Sequence, residues 1–266
     1  MIKIKNLTDR AEIEIYGTII DDTDANWVLD EDGNVLGFAF PELIKQQLAE
    51  IQNLPVLVRI SSYGGDVSAA VSIFNMLQQH NAPVTVQIDS IAASSASLIA
   101  FAGQEIIMPE NTFLMVHNPS GGGFGTADYL LSIVDYLDKI RDMIASTYQK
   151  HIKNGVDIKK LMDAETWITA KEASEMFDNV KLVASTGIEA VAKFDVSKLS
   201  TYKNVPDAVK DILKVEDVVE ENTTTEETIT NNETIITTNN EDNGNDDIKN
   251  NILGVLRGAY SYEEKG

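Results

Sequence analysis

The chain has 266 residues with an apolar fraction of 43%, enough for one large globular domain or two small ones. Its 42 Asp and Glu against 21 Lys and Arg leave a formal charge of −21. That balance argues against a nucleic-acid backbone or an anionic membrane surface as partner, because Lys and Arg carry both affinities. The absence of cysteine excludes disulfides, thiolate metal sites and a cysteine nucleophile.

No apolar run approaches the roughly 20 residues a membrane span needs. MIKIKNLTDR has no apolar segment followed by a cleavage site, so no secretory signal is visible. The expectation is a soluble, cytoplasmic protein. Ala11–Thr18 alternates apolar and polar residues and predicts a half-buried strand with Ile13 and Ile15 on one face. Asp32-Gly33 signals a turn. Pro41 to Ile51 reads as a helix, with Leu43, Ile44, Gln47, Leu48 and Ile51 at helical spacing and Pro in its first turn. Val56–Ile60 is a buried strand. Asp66 to Gln79 is a helix with Val67, Val71, Phe74 and Leu77 turned inward. Val84–Ile88 is the next strand, Ser94–Phe101 a short apolar helix, and Glu105–Met108 and Phe113–Val116 are short strands. Ala127 to Lys150 is a long helix and Lys171–Phe177 a short one. Repeated strand–helix–strand units predict an α/β fold with mostly parallel pairing.

Residues 1–195 read as this globular domain and 196–250 as an acidic, Asn/Thr-rich linker. Between Val215 and Asn250 stand eleven Asp or Glu, eight Asn and eight Thr against one Lys, with no aromatic residue. Such a segment buries too little apolar surface to offset its conformational entropy, so disorder is expected. It carries nearly half of the net charge. In residues 251–266, Ile252, Val255 and Leu256 continue a helical spacing begun at Ile248, as a short amphipathic tail helix would. Gly254 and Gly258 oppose that helix.

Three histidines limit the chemistry. His80 and His151 fall near helix C-termini, where a histidine interacts with the dipole. His117 instead follows the apolar strand Phe113–Val116 and precedes Asn118-Pro119 and a glycine run, a common catalytic location. No zinc, phosphate-binding or dinucleotide-binding motif is present, so no metal and no cofactor are expected. Two further stretches each follow a strand and open a helix. Ser61-Ser62-Tyr63-Gly64-Gly65-Asp66 offers backbone N–H groups at a sharp turn, the raw material of an oxyanion hole. Ser90-Ile91-Ala92-Ala93-Ser94-Ser95-Ala96-Ser97 puts a serine where a helix dipole favours negative charge. Taken singly, these are a structural histidine, a tight turn and a helix cap.

Their order and spacing are more specific. Residues Arg59 to Val180, with SSYGGDVSAAVSIFNML, DSIAASSASLIAFAG, MPENTFLMVHNP and ETWITAKEASEMF, resemble the Clp-type serine peptidases. The resemblance implies the ClpP/crotonase-like α/β fold of repeated strand-strand-helix units, followed here by the acidic tail. It implies Ser94 as nucleophile and His117 as its base. It places Glu165 as the third triad member, where the family usually has Asp; Asp163 is the competing acid. The backbone N–H groups of Gly65 and Ser95 become oxyanion donors. Gly64 and the run Gly121, Gly122, Gly123 fall in the substrate-binding region. A homo-oligomeric ring and a protein or peptide substrate are implied.

An N-terminus that leads almost straight into a strand and the acidic Asp21–Phe40 region are closer to the phage prohead or head-maturation branch. That branch acts on capsid or scaffold proteins in the host cytoplasm, within the assembling head. The alternatives are a housekeeping peptidase with an ATPase unfoldase partner, a crotonase-like acyl-CoA enzyme, and a catalytically degenerate capsid-assembly protein.

Overall fold

The computed structural model describes residues 5–6, 9–25, 37–51, 53–185, 202–207 and 209–210. The turn expected at Asp32-Gly33, the acidic linker expected at 196–250 apart from 202–207 and 209–210, and the tail helix at 251–266 lie outside the described residues. The elements run β1 (Lys5–Asn6), β2 (Ala11–Ile19), β3 (Phe38–Ala39), α1 (Pro41–Ile51), β4 (Val56–Gly65), α2 (Val67–Gln78), β5 (Val84–Ala93) and α3 (Ser95–Ala100). They continue with β6 (Glu105–Pro109), β7 (Phe113–Val116), α4 (Ala127–Gln149), α5 (Ile158–Asp163), β8 (Thr166–Thr169), α6 (Ala170–Met176) and β9 (Val180–Val183).

Among the described residues all nine strands belong to one sheet, with β1-β2-β4-β5-β6-β9 as its main path. Every pairing along that path is parallel except β1 with β2. The first part of β5, Thr85–Gln87, lies beside β6. Its last part, Ile91–Ala93, lies beside β7. β8 then pairs antiparallel with the far side of β7. The sheet is therefore the mixed, mostly parallel α/β type that strand–helix alternation predicts.

Local signals explain most of the element boundaries. α1 keeps the bounds read from its periodicity and its N-terminal proline. Asp66 caps α2 by accepting the Ala69 N–H at 2.7 Å. Thr169 and Glu172 form a reciprocal capping box at the start of α6.

Three expectations change. β4 and β5 run on past their apolar cores to Gly65 and Ala93. The small residues there find strand partners, Gly64 and Gly65 opposite Thr18 and Ile19, and Ala92 opposite Ser62. The stretch from Ser61 to Gly65 is thus strand rather than turn. α2 buries Ala69, Ala70, Ile73 and Leu77; Val67, Val71 and Phe74 are only partly buried against the core. Alanine on the inner face lets α2 and α3 approach closely. The short elements α5, β8 and β9 had no visible periodicity.

One polar cluster ties the three central strands together. Asp89 on β5, 2% exposed, accepts Nε and Nη2 of Arg59 on β4, each at 2.8 Å. It also accepts the Tyr16 hydroxyl of β2 at 2.6 Å and Gln87 Nε2 at 2.8 Å. A buried charge is tolerable when it is satisfied in this way. Among the described residues no helix is long and apolar enough to cross a membrane.

Candidate active site

Ser94 is the hinge between β5 and α3. Its backbone has φ 56° and ψ −127°, a region that non-glycine residues rarely occupy and that structures tolerate mainly at functional sites. The surroundings hold it there. Its N–H donates to the Met115 carbonyl of β7 at 3.0 Å. Its carbonyl accepts the Ser97 N–H at 3.0 Å and the Ser97 hydroxyl at 2.5 Å. Ser97, having given its proton to Ser94, accepts the Tyr148 hydroxyl at 2.8 Å. Tyr148 comes from α4, is 2% exposed, and has its phenol pushed up by burial. Three elements therefore fix one strained peptide.

The Ser94 hydroxyl makes no capping bond to α3. It meets His117 Nε2 at 2.7 Å. With the imidazole proton on Nδ1, Ser94 donates this bond and Nε2 is the free base. His117 stands one residue past the end of β7. Burial holds its pKa below the ordinary 6.5, and the Glu165 carboxylate acts in the opposite direction.

The acid is not joined to this pair. Glu165 has φ 49°; it and Ser94 are the non-glycine residues of positive φ among the described residues. Its Oε1 accepts the backbone N–H of Lys203 at 2.5 Å and that of Asn204 at 3.1 Å, and no hydrogen bond links it to His117. Asp163 accepts Asn118 Nδ2 at 2.9 Å, one residue along from the imidazole. Of the two acids, Glu165 is the one whose charge acts on His117. The geometry is a Ser94–His117 dyad with a carboxylate near it, engaged elsewhere.

Gly64 backs the dyad. An added Cβ would lie 2.7 Å from the Ala93 carbonyl oxygen, 2.9 Å from Ser94 Cβ and 2.9 Å from Ser95 N. Ser95 opens α3, where the first N–H groups have no partner within the helix. Gly65 has φ 150° and passes against Ile19, whose carbonyl oxygen an added Cβ would meet at 2.0 Å. The exposed run Gly121, Gly122, Gly123 leads toward α4. Gly121 lies near Leu137 and Gly123 near Ile133 and Tyr129.

Residues 202–207 and 209–210, on the linker side of the boundary expected at 195, supply what the sequence reading missed. The Tyr202 ring stands edge-on to His117 at 5.6 Å and to Trp167 at 5.9 Å. Its hydroxyl donates to the Tyr63 carbonyl at 2.7 Å. Burial pushes this phenol up to about 12; Ser94 opposes the rise and Glu165 adds to it. Val209 is fully buried with Tyr63, Ile91, Ala93, Phe113 and Met115, and Tyr202, Val205 and Trp167 pack against that group. No periodicity or charge pattern marked this stretch.

A mostly parallel sheet thus brings a strained serine and a histidine together at the ends of two paired strands, β5 and β7. The Clp protease family model matches residues 41–180, just over half of the chain, and the chain belongs to that family. Similar proteins include an ATP-dependent Clp protease proteolytic subunit of Mesostigma viride, 31% identical over 120 residues, which are 44% of this chain and 52% of that protein. One of Chlorella vulgaris is 30% identical over 131 residues, 48% of this chain and 65% of that one. The chain thus spans between half and two thirds of the length of these two relatives. Proteolytic subunit 2 of Thermobifida fusca is 29% identical over 170 residues, 62% of this chain and 77% of that one. Among solved structures, a ClpP1 point mutant from Listeria monocytogenes shares the fold. Its TM-score is 0.51 at 20% identity, covering 65% of this chain and 91% of that chain.

Proposed function

We propose that the protein is a serine endopeptidase. The observation that carries the reading is the 2.7 Å contact between His117 Nε2 and the hydroxyl of Ser94, on a residue that its neighbours hold in a strained backbone conformation. His117 takes the Ser94 proton as Oγ attacks the substrate carbonyl, then returns it to the leaving amine. The N–H groups of Gly65 and Ser95 receive the oxyanion. Glu165 orients the imidazole once its carboxylate reaches Nδ1. A crotonase-like acyl-CoA enzyme would have no use for the Ser94–His117 bond.

The test is fluorophosphonate labelling with peptide mapping. An adduct on Ser94 that disappears in His117→Ala is expected. No adduct in any oligomeric fraction would leave a degenerate assembly protein as the better reading. The pH profile follows from the burial of His117. Only the neutral imidazole accepts a proton, and a pKa lowered from 6.5 keeps it neutral further into the acid range. The acid limb of kcat/KM is expected to have its midpoint below pH 6.5, read from initial rates on a peptide substrate.

A homo-oligomeric ring is part of the proposal. Tyr129, Leu130, Leu131, Val134 and Tyr136 on α4 are 42% to 65% exposed, and Phe124 just before it is fully exposed. An apolar surface of this extent marks an association face. The double variant Leu131→Lys, Val134→Lys is expected to elute from a sizing column near the 29.2 kDa of one chain, well after the parent.

We propose capsid or scaffold proteins of an assembling phage head as substrates, supported by the departure of Asp21–Phe40 from the housekeeping pattern. The second reading is a housekeeping peptidase with a Clp ATPase partner, favoured by the "ATP-dependent" in the names of all three relatives. A pull-down with the host unfoldase separates them, since only the second requires capture.

A further inference from the structure

We propose that residues 202–207 with 209–210 are an intramolecular ligand of the cleft beside Ser94, and that they exclude substrate until they are displaced. This inference rests on the serine-peptidase reading. One short stretch engages the candidate base and the candidate acid. The Tyr202 ring stands edge-on to His117 at 5.6 Å, and the His117 imidazole in turn meets the Ser94 hydroxyl at 2.7 Å. The backbone N–H groups of Lys203 and Asn204 both hold Glu165 Oε1.

The contacts resemble those of a bound peptide. The Tyr202 hydroxyl donates to the carbonyl of Tyr63 at 2.7 Å, next to the Gly64-Gly65 segment that offers backbone groups to the reacting carbonyl. Val205 and Val209 fill the apolar wall made by Tyr63, Phe113 and Met115. Asn204 Nδ2 donates to the Ala164 carbonyl at 2.8 Å, which pins the stretch to the loop that carries the acid. Two effects follow. The segment fills the space a substrate side chain would enter beside the nucleophile. It also keeps Glu165 bonded to amides rather than to His117 Nδ1, which leaves the imidazole without an orienting partner. A segment tethered to its own site acts at an effective concentration on the order of millimolar, so a weakly bound substrate competes poorly.

The experiment compares full-length parent with full-length Tyr202→Ala and Lys203→Pro. The first variant removes the ring from the cleft. The second deletes one N–H that holds Glu165 and leaves the apolar contacts alone, so loss of folding in one variant does not decide the matter. Three quantities are read: the rate of fluorophosphonate labelling at Ser94, KM for a peptide substrate, and hydrogen exchange at the Asn204 amide, which both variants retain. Labelling about tenfold faster in the variants, a lower KM, and slowing by an added synthetic peptide of residues 200–212 are expected. Labelling equal to or slower than the parent, with exchange at Asn204 raised, overturns the proposal and makes the segment part of the working site. No label on Ser94 in parent or variants, with that exchange raised, overturns the serine-peptidase reading itself, and the inhibitory role with it.

Discussion

Ser94→Ala is expected to lower peptide hydrolysis by about 10⁴-fold or more, and His117→Ala by a comparable factor. The reason is chemical rather than structural. A serine hydroxyl attacks an amide only when a base removes its proton as it moves, and the 2.7 Å contact puts the His117 imidazole within reach of Oγ. Because the pair acts as a unit, the double variant is expected to be no slower than either single variant. The hydroxyl makes no capping bond to α3, and alanine suffers no more than serine at φ 56°. The melting temperature of Ser94→Ala is therefore expected to stay within a degree or two of the parent, on the order of the usual scatter for changes away from structural features. Steady-state rates beside a thermal melt check both halves. Activity that survives Ser94→Ala would favour the acyl-CoA reading.

Gly64→Ala is expected to remove both activity and stability. The new methyl group would meet the Ala93 carbonyl oxygen at 2.7 Å and Ser95 N at 2.9 Å. Those atoms belong to the backbone that presents the nucleophile, so no side chain can swing aside. The position also has φ +93°, where an L side chain adds strain of its own. Overpacking and strain together predict a loss of about 2 to 4 kcal/mol, read from urea unfolding. The remaining folded fraction is expected to turn over substrate at least about a hundredfold more slowly, because moving Ser95 disturbs an oxyanion donor. Gly122→Ala is the matched control for stability. Nothing lies within 4 Å of a Cβ there, and the unfolding free energy is expected to remain at the parent value.

How much of this was legible in the sequence depended on distance along the chain. α1 was readable to the residue because its proline, periodicity and end are all local. The pairing of Ser94 with His117 was implied by the resemblance to the Clp-type peptidases, and the parallel pairing of β5 with β7 puts the two residues at neighbouring strand ends. The inner face of α2 was read incompletely, since Leu77 is buried and Val67, Val71 and Phe74 do pack against the core, but periodicity gives weight to large residues. Close helix packing also chose Ala69 and Ala70. The role of Tyr202 was invisible. Its hydroxyl bonds to a carbonyl 139 positions away, and nothing in its own neighbourhood announces that partner. The partner of Glu165 was hidden for the same reason. The family resemblance implied Glu165 as the acid, with Asp163 as the alternative, but two amides from a distant segment decide what Glu165 bonds to.

The fork in β5 bears on when the site can exist at all. Ile91–Ala93 are held by β7, and β7 has β8 as its outer neighbour. Ser94 and His117 are the first residues beyond β5 and β7, so their geometry waits on a pairing that reaches Thr166–Thr169. Such long-range pairings form only after large loops have closed, which makes them late events in folding. On a ribosome the chain grows from its N-terminus at about 5 to 20 residues per second. Gly64, Ser94 and His117 are thus all synthesised some seconds before the strand that clamps β7. During that interval the nascent polypeptide carries the reactive side chains without the arrangement that would make them react.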